Sequence, residues 1–299
     1  MDIRQLKYFV GIAEAGSLTE ASRRLHIVQP ALSQRLSDLE RELGVKLVVR
    51  GRVGTALTPA GTELYERSKR ILQQIDYAAA AAREKAGVVE GVITIGLLRS
   101  LSPLLSVRLF SEIRAAMPRV RPQIRVGYSA ELERLLFKGD LDMATLVAAG
   151  APEAGARGAA FSERLFIVGS RDVLRAVPRR PTLADVQPIE LLLSPMQPAH
   201  RLVLEACERS GLDLRIVGGI EDLPSMLELC EQGVGATILS TFAARRAAQR
   251  TGLIALPIAE SGLERHVRIA LATDTGWSEA VLVGESILSR LLAESVKRS

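Results

Sequence analysis

The sequence predicts an α/β chain of more than one domain: a helical N-terminal unit, one long helix, then a larger part in which strands and helices alternate. Three observations predict it. Apolar residues recur at helical spacing through the first 43 positions. A second helical pattern runs from Pro59 to about Ala86. From Gly91 onward, short β-branched runs alternate with amphipathic stretches. A length of 299 residues also suits two or three domains better than one.

Residues 2–15 form the first predicted helix, with Ile3, Leu6, Phe9, Val10 and Ala13 on one face and Gly16 as its stop. Residues 17–43 read as two short helices joined by a tight turn. Ser17 is placed as the N-cap of the first, with Glu20 three residues on completing a capping box. Leu18, Ala21, Ser22 and Leu25 give that helix a buried face. Pro30 suits the first turn of the second, whose inward stripe is Leu32, Leu36, Leu39 and Leu43. Gln29, Ser33, Gln34, Arg35 and Ser37 fall on or near the opposite face, and these side chains can bond base edges or phosphates from a helix lying in a major groove. An ordinary helical hairpin with a polar outer face fits the isolated stretch equally well.

Past Gly44, residues 45–49 are a strand candidate, and Arg50–Leu57 reads as a hairpin with glycines at its turn. Thr58-Pro59 then opens the long helix with a cap residue and a proline at the first helical position. With Gly87 as its stop it spans about 43 Å at 1.5 Å per residue. Leu64, Ser68, Ile71, Ile75, Ala78 and Ala82 alternate four and three apart, the seam of a coiled coil. Beyond it, strands are expected at 92–97, 123–128, 141–147, 164–169, 189–193, 214–220, 236–239, 253–258 and 265–272. Helices are expected near 103–117, 130–138, 199–210, 222–232, 240–250 and 278–296, with a loop at 150–160. Such alternation predicts a parallel sheet with helical crossovers.

The order Ala21-Ser-Arg-Arg-Leu25-His26, then Gln29-Pro-Ala-Leu-Ser-Gln34, then Leu39-Glu and Glu42-Leu-Gly44, closely resembles the N-terminal winged helix-turn-helix of the LysR-type transcriptional regulators. Residues 26–34 look nearest the nitrogen-assimilation-control branch. Gly139-Asp-Leu141-Asp142 is similar to a strand start of that family, and Gly233-Val-Gly235 to one of its turns, with Ser240 in place of the usual proline. The resemblance implies a winged helix-turn-helix at 1–58, a linker and dimerisation helix at 59–87, and a two-lobe effector domain at 91–299 similar to periplasmic binding proteins. Lobe I is expected at about 91–161 and 268–299 and lobe II at about 162–267, with crossings near Phe161-Ser162 and Arg265–Arg268.

In that family the hairpin is the wing, which implies DNA contacts from Arg50 and Arg52 besides the helix residues. Three departures bear on operator choice. Val53 stands where arginine is common, Val28 replaces a capping serine, and Gln34-Arg35 inverts a frequent order. A two-lobe sheet places its ligand crevice at the carboxyl ends of its strands. Those ends expose Arg99, Ser100, Ser102, Val147, Ser194, Gln197 and Glu221, and the resemblance implies an effector cleft there. Ser100 and Ser102 serve equally well as caps of the helix that follows them. The implied partners are promoter DNA, a second copy through the linker helix, a tetramer through the effector domains, and RNA polymerase. A small-molecule effector is implied, and no cofactor.

Composition bounds the alternatives. A net charge of +5 gives a modest hint of a polyanionic partner. The first 90 residues hold 14 basic and 11 acidic side chains, the rest 25 and 23. Two cysteines, Cys207 and Cys230, indicate neither a disulfide framework nor a zinc site, and fit a reducing cytoplasm. The N-terminus lacks the basic-then-apolar order of a secretory signal, and no apolar stretch approaches the roughly 18–20 residues that span a bilayer. His26, His200 and His266 lack partners at metal spacing, and no nucleophile elbow or phosphate loop occurs, so catalysis and metal binding are not expected. A small-molecule-binding protein of the same two-lobe fold, without DNA binding, is the reading that competes.

Overall fold

The computed structural model describes residues 1–51, 54–84, 89–148, 160–195, 198–260, 262–272 and 277–297. Its first three helices, α1 (Ile3–Ala15), α2 (Leu18–Arg24) and α3 (Gln29–Leu43), share one small core. Phe9, Ile12, Ala21, Leu32 and Leu39 are almost wholly buried there. Each such Leu or Phe contributes about 1.5–3 kcal/mol relative to exposure. Ile3, expected on the inward face, is 50% exposed in the first turn of α1, and Ile12 is buried instead. Leu43 is likewise exposed rather than inward, because α3 outruns the unit it packs on. The expected capping box at Ser17 is half made. Ser17 Oγ accepts from Glu20 N–H, but the Glu20 carboxylate turns to Arg23 and Arg24. A complete box occurs instead at Asp2 and Gln5, at the start of α1.

The hairpin is β1 (Val48–Gly51) paired antiparallel with β2 (Gly54–Leu57). The strand candidate at 45–49 is therefore the lead into the hairpin's own first strand, not a separate element. Two glycines let it sit close to the helices. A Cβ on Gly54, whose φ is +134°, would stand 2.4 Å from Gly16 O, and one on Gly61 would stand 1.9 Å from Leu47 O.

Helix α4 (Pro59–Glu84) follows, with Thr58 Oγ1 capping Gly61 N–H at 3.0 Å. Of its expected seam, Leu64 packs on the N-terminal core and Ser68 is buried, whereas Ile71, Ala78 and Ala82 are exposed in the single chain. Another face of α4 lies against the following domain. Lys69 is ion-paired with Asp140, Lys138 with Glu66, and the Arg70 guanidinium lies 4.5 Å from the centre of the Phe137 ring.

The remaining chain contains β3 (Gly91–Leu98), α5 (Ser102–Ala116), β4 (Val120–Gly127), α6 (Ser129–Phe137), β5 (Met143–Ala148) and β6 (Ala160–Ser170). Next come α7 (Leu183–Val186), which the sequence pattern did not signal, β7 (Leu191–Leu192), α8 (Pro198–Ser210), β8 (Ile216–Gly218) and α9 (Leu223–Glu231). Then β9 (Thr237–Ser240), α10 (Thr241–Ala247), β10 (Leu253–Pro257), β11 (Glu264–Leu271) and α11 (Glu279–Lys297) follow.

The principal sheet runs β10-β6-β11-β5-β3-β4, with β9 also on β6. It is mixed, not parallel as the alternation suggested. Strand β3 is parallel to β4 and β5, while β6 and β11 are antiparallel to each other and to their outer neighbours. The reason is topological. On one side Val267, Ile269 and Leu97 belong to one core, and on the other Leu165, Ile167 and Leu263 belong to a second. Strand β6 carries the chain out to the second core and β11 brings it back, so the two run in opposite directions.

Candidate functional site

Helix α3 is a polar ridge on a leucine stripe. Gln29, Pro30, Gln34 and Arg35 are exposed, and Ser33 and Ser37 are half-buried beside them. Gln34 and Ser37 are among those already engaged. Gln34 Nε2 donates to Asp38 at 2.9 Å, which leaves its carbonyl outward, and Ser37 Oγ donates to Ser33 O at 3.0 Å. Val28 is the N-cap residue and supplies no side-chain cap, in line with the loss of the serine; it is 71% exposed. Arg50 lies in β1, at the ladder position opposite Thr55, and Arg52 lies outside the described residues.

A residue that pattern reading passed over holds this surface in shape. Glu40 is 7% exposed and accepts from Leu47 N–H at 2.9 Å and from Lys46 Nζ at 2.6 Å, tying α3 to the base of the hairpin. Burial works to raise its pKa, but the Lys46 ammonium and the Leu47 and Val48 amides outweigh it and hold the carboxyl below its usual range. The signal was present: Glu40 stands four residues after Leu36, on the inward stripe.

The second site is a cleft of about 730 Å³ between the two lobes. Arg99, Ser100, Ser102 and Glu221 line it as expected. Val147 and Ser194 do not. The Val147 side chain packs on the first core, and Ser194 is 2% exposed where the Gly218-Gly219 turn closes over the end of β7. Gln197 lies outside the described residues. The serines do not cap α5, whose N-cap is Leu101 without a side-chain bond. Ser102 Oγ meets Ser106 Oγ at 2.9 Å, and Ser100 Oγ accepts from Arg265 at 2.8 Å.

Arg265, which the sequence placed only at a lobe crossing, is also a cleft residue. It faces Glu163 directly across the β11–β6 ladder, donates to it through Nε at 2.8 Å, and forms an ion pair with it at 4% and 1% side-chain exposure. Tyr128, Asp222, Ser240, Arg246, Gln249 and Arg250 complete the polar lining. Arg250 is held by Glu231 at 2.6 Å, and the Arg99 guanidinium lies 5.4 Å from the Tyr128 ring centre. Apolar side chains, Val126, Leu227 and Ile238 among them, make up much of the rest.

Asp142, which the sequence places at a strand start, is a buried hub. It accepts from Tyr77 Oη at 2.6 Å, Gln73 Nε2 at 3.2 Å, Thr94 N–H at 2.6 Å and Thr94 Oγ1 at 2.8 Å. Two of these donors come from α4, so this carboxylate joins the long helix to the two-core domain. Among the described residues no group of histidine, cysteine and acidic side chains is placed to hold a metal ion. Both cysteines are buried, and burial pushes the Cys230 thiol up to about 11, which leaves little thiolate at neutral pH.

Comparison with known proteins agrees with this geometry. Residues 3–62 match the family of bacterial regulatory helix-turn-helix proteins of the lysR type, and residues 86–283 match the LysR substrate binding domain. The nitrogen assimilation regulatory protein nac of Klebsiella aerogenes is 34% identical over 248 residues, covering 82% of this chain and 80% of that protein. The transcriptional regulator TfdS of Cupriavidus pinatubonensis is 30% identical, covering 92% and 94%. Among solved structures, an OxyR mutant from Corynebacterium glutamicum is 26% identical with a TM-score of 0.61, covering 99% and 94%. The LysR family regulator CbnR shares the fold at 22% identity and a TM-score of 0.64, covering 97% and 99%. With a helix-turn-helix unit, a long linker helix and a two-lobe effector domain in one chain, this protein belongs to the LysR family and is a DNA-binding transcription regulator, not an enzyme.

Proposed function

We propose that α3 reads an operator in the major groove through Gln29, Pro30, Ser33, Gln34, Arg35 and Ser37, with Arg50 and Arg52 of the hairpin on the flanking backbone or minor groove. The observation that carries this reading is the division of α3: Leu32, Leu36 and Leu39 are buried while Gln29, Gln34 and Arg35 face solvent. Side chains of those types make base-edge and phosphate contacts. A gel shift with the DNA upstream of this chain's own gene tests it. Retention of that duplex in the presence of excess unrelated competitor supports the reading, and equal competition by both DNAs refutes it.

The same reading makes the interlobe cleft an effector site, in which a small molecule shifts the relative poise of the lobes. Two recognition helices are brought together by pairing of α4 through the seam that includes exposed Ile71, Ala78 and Ala82. Tetramer formation through the effector domains is supported by apolar side chains left on α5, namely Leu104, Val107 and Phe110, and by Ile216 and Val217 on β8. The protein works in the cytoplasm, where promoter DNA and RNA polymerase are its partners. No described helix is long and apolar enough to cross a membrane.

A further inference from the structure

Ser240 ends β9 and is the N-cap of α10, yet its hydroxyl caps nothing. Among the described residues its Oγ has no partner, although the residue is only 5% exposed. A buried hydroxyl left unpaired is unfavourable, and in native proteins such a group calls for a specific explanation, a functional role among them. From Ser240 the cleft wall continues along one side of α10 through Ala243, Arg246 and Ala247. The two alanines keep that wall shallow.

The charges at the cleft are mostly committed. Arg265 is held by Glu163 and Arg250 by Glu231. Arg99 sits near Tyr128 and within electrostatic reach of Asp222, with Glu221 adjacent. Arg246 has no ion pair among the described residues. One wall thus offers an unpaired hydroxyl and an unpaired guanidinium, with Leu227, Ala243 and Ala247 as apolar ground between the lobes.

We propose that the cleft takes a small organic anion, a carboxylate on a compact apolar body, and that Ser240 and Arg246 receive its acid group. The proposal rests on the cleft being the effector site. Receiving the acid group requires the serine to turn about χ1, since its hydroxyl is buried without a ligand, and the guanidinium supplies charge-assisted bonds that an amide or amine cannot draw on equally.

The test is calorimetric titration of the full chain with hexanoate, 4-methylpentanoate and cyclohexanecarboxylate, alongside the primary amide and the amine of each. Wild type is compared with Ser240→Ala, Arg246→Gln and Ser102→Trp, the last filling the cleft from the opposite wall, and DNA binding confirms that each variant is folded. The expected result is carboxylate binding that Ser102→Trp abolishes and that Ser240→Ala and Arg246→Gln each weaken about tenfold or more. Unliganded Ser240→Ala melts no lower than wild type, since it discards an unpaired polar group. Carboxylate binding that Ser102→Trp blocks but the other two variants leave intact overturns the proposal and leaves the cleft reading standing. So does equal binding of amides or amines. Binding that survives Ser102→Trp, or no heat with any of the three classes, removes the cleft reading and the proposal with it.

Discussion

Arg265 and Glu163 stand opposite each other on the two strands that connect the lobes, and their ion pair is almost wholly buried. The same guanidinium reaches Ser100 of the first lobe at 2.8 Å, while the Glu163 carboxylate accepts from Phe242 N–H of the second lobe at 3.5 Å. A chain of polar contacts therefore crosses the floor of the cleft. Breaking a buried pair by removing one partner leaves the other charge unpaired, at a cost of about 3–5 kcal/mol. Arg265→Ala and Glu163→Ala are each expected to lower unfolding stability by that order in urea. The double variant is expected to lose less than the sum.

The second joint is Tyr77 with Asp142. Burial, with the Asp142 carboxylate beside it, raises the Tyr77 pKa far above the usual tyrosine range, so the phenol stays a donor at any working pH. Tyr77→Phe removes this bond without changing shape. The variant is expected to lose about 1–3 kcal/mol, because a buried carboxylate loses a donor. Amide hydrogen exchange in α4 is expected to quicken most around residues 69–77, the stretch that faces the effector domain. Unchanged exchange there would mean that the helix is held to that domain by other contacts.

Acid sensitivity centres on Glu40. Its folded pKa is depressed, so its contribution to stability is complete above its unfolded value and is lost as pH falls through the folded value. Thermal unfolding of wild type between pH 7 and pH 3 is expected to fall more steeply than that of Glu40→Gln below about pH 4.5, near the unfolded carboxylate value. Glu20, held down to about 2 by hydrogen bonds from Arg23 and Arg24, titrates in the same direction. The exposure of its partners Arg23 and Arg24 makes it the lesser contributor. Parallel pH curves for wild type and Glu40→Gln would rule out the role given to Glu40.

Much of this was legible in the sequence, and the exceptions share a cause. The order of helices and strands follows from periodicity and from glycine and proline punctuation, which are local signals. Glu163, Arg265 and Asp142 were not legible, because each acquires its meaning from a partner at least 48 residues away in the chain. Val147 and Ser194 misled for the same reason. A strand's carboxyl end is a sequence property, but which face of it meets a cleft depends on the neighbouring strand or turn. Leu43 and Ile3 show the limit of a periodic stripe, which predicts a direction for a side chain but not where the covering domain stops.

At the N-terminus of α3, Val28→Ser restores the side-chain cap that this chain lacks. It is expected to raise stability by about 0.5–2 kcal/mol, read as a higher urea midpoint at unchanged slope. Val28 also precedes Gln29 and is 71% exposed, so in the proposed docking its methyls are available to thymine methyls. Binding-site selection with Val28→Ser is therefore expected to relax the preference for thymine at one position of each half-site.

The account turns on α3 as the reading element. Its most direct test is fluorescence anisotropy of the full chain on the upstream duplex and on a shuffled duplex of equal length, with Gln29→Ala and Ser33→Ala beside wild type. Loss of about tenfold or more in affinity for the upstream duplex, with little change on the shuffled one, is the predicted result. Variants that keep the full difference between the two duplexes would contradict it.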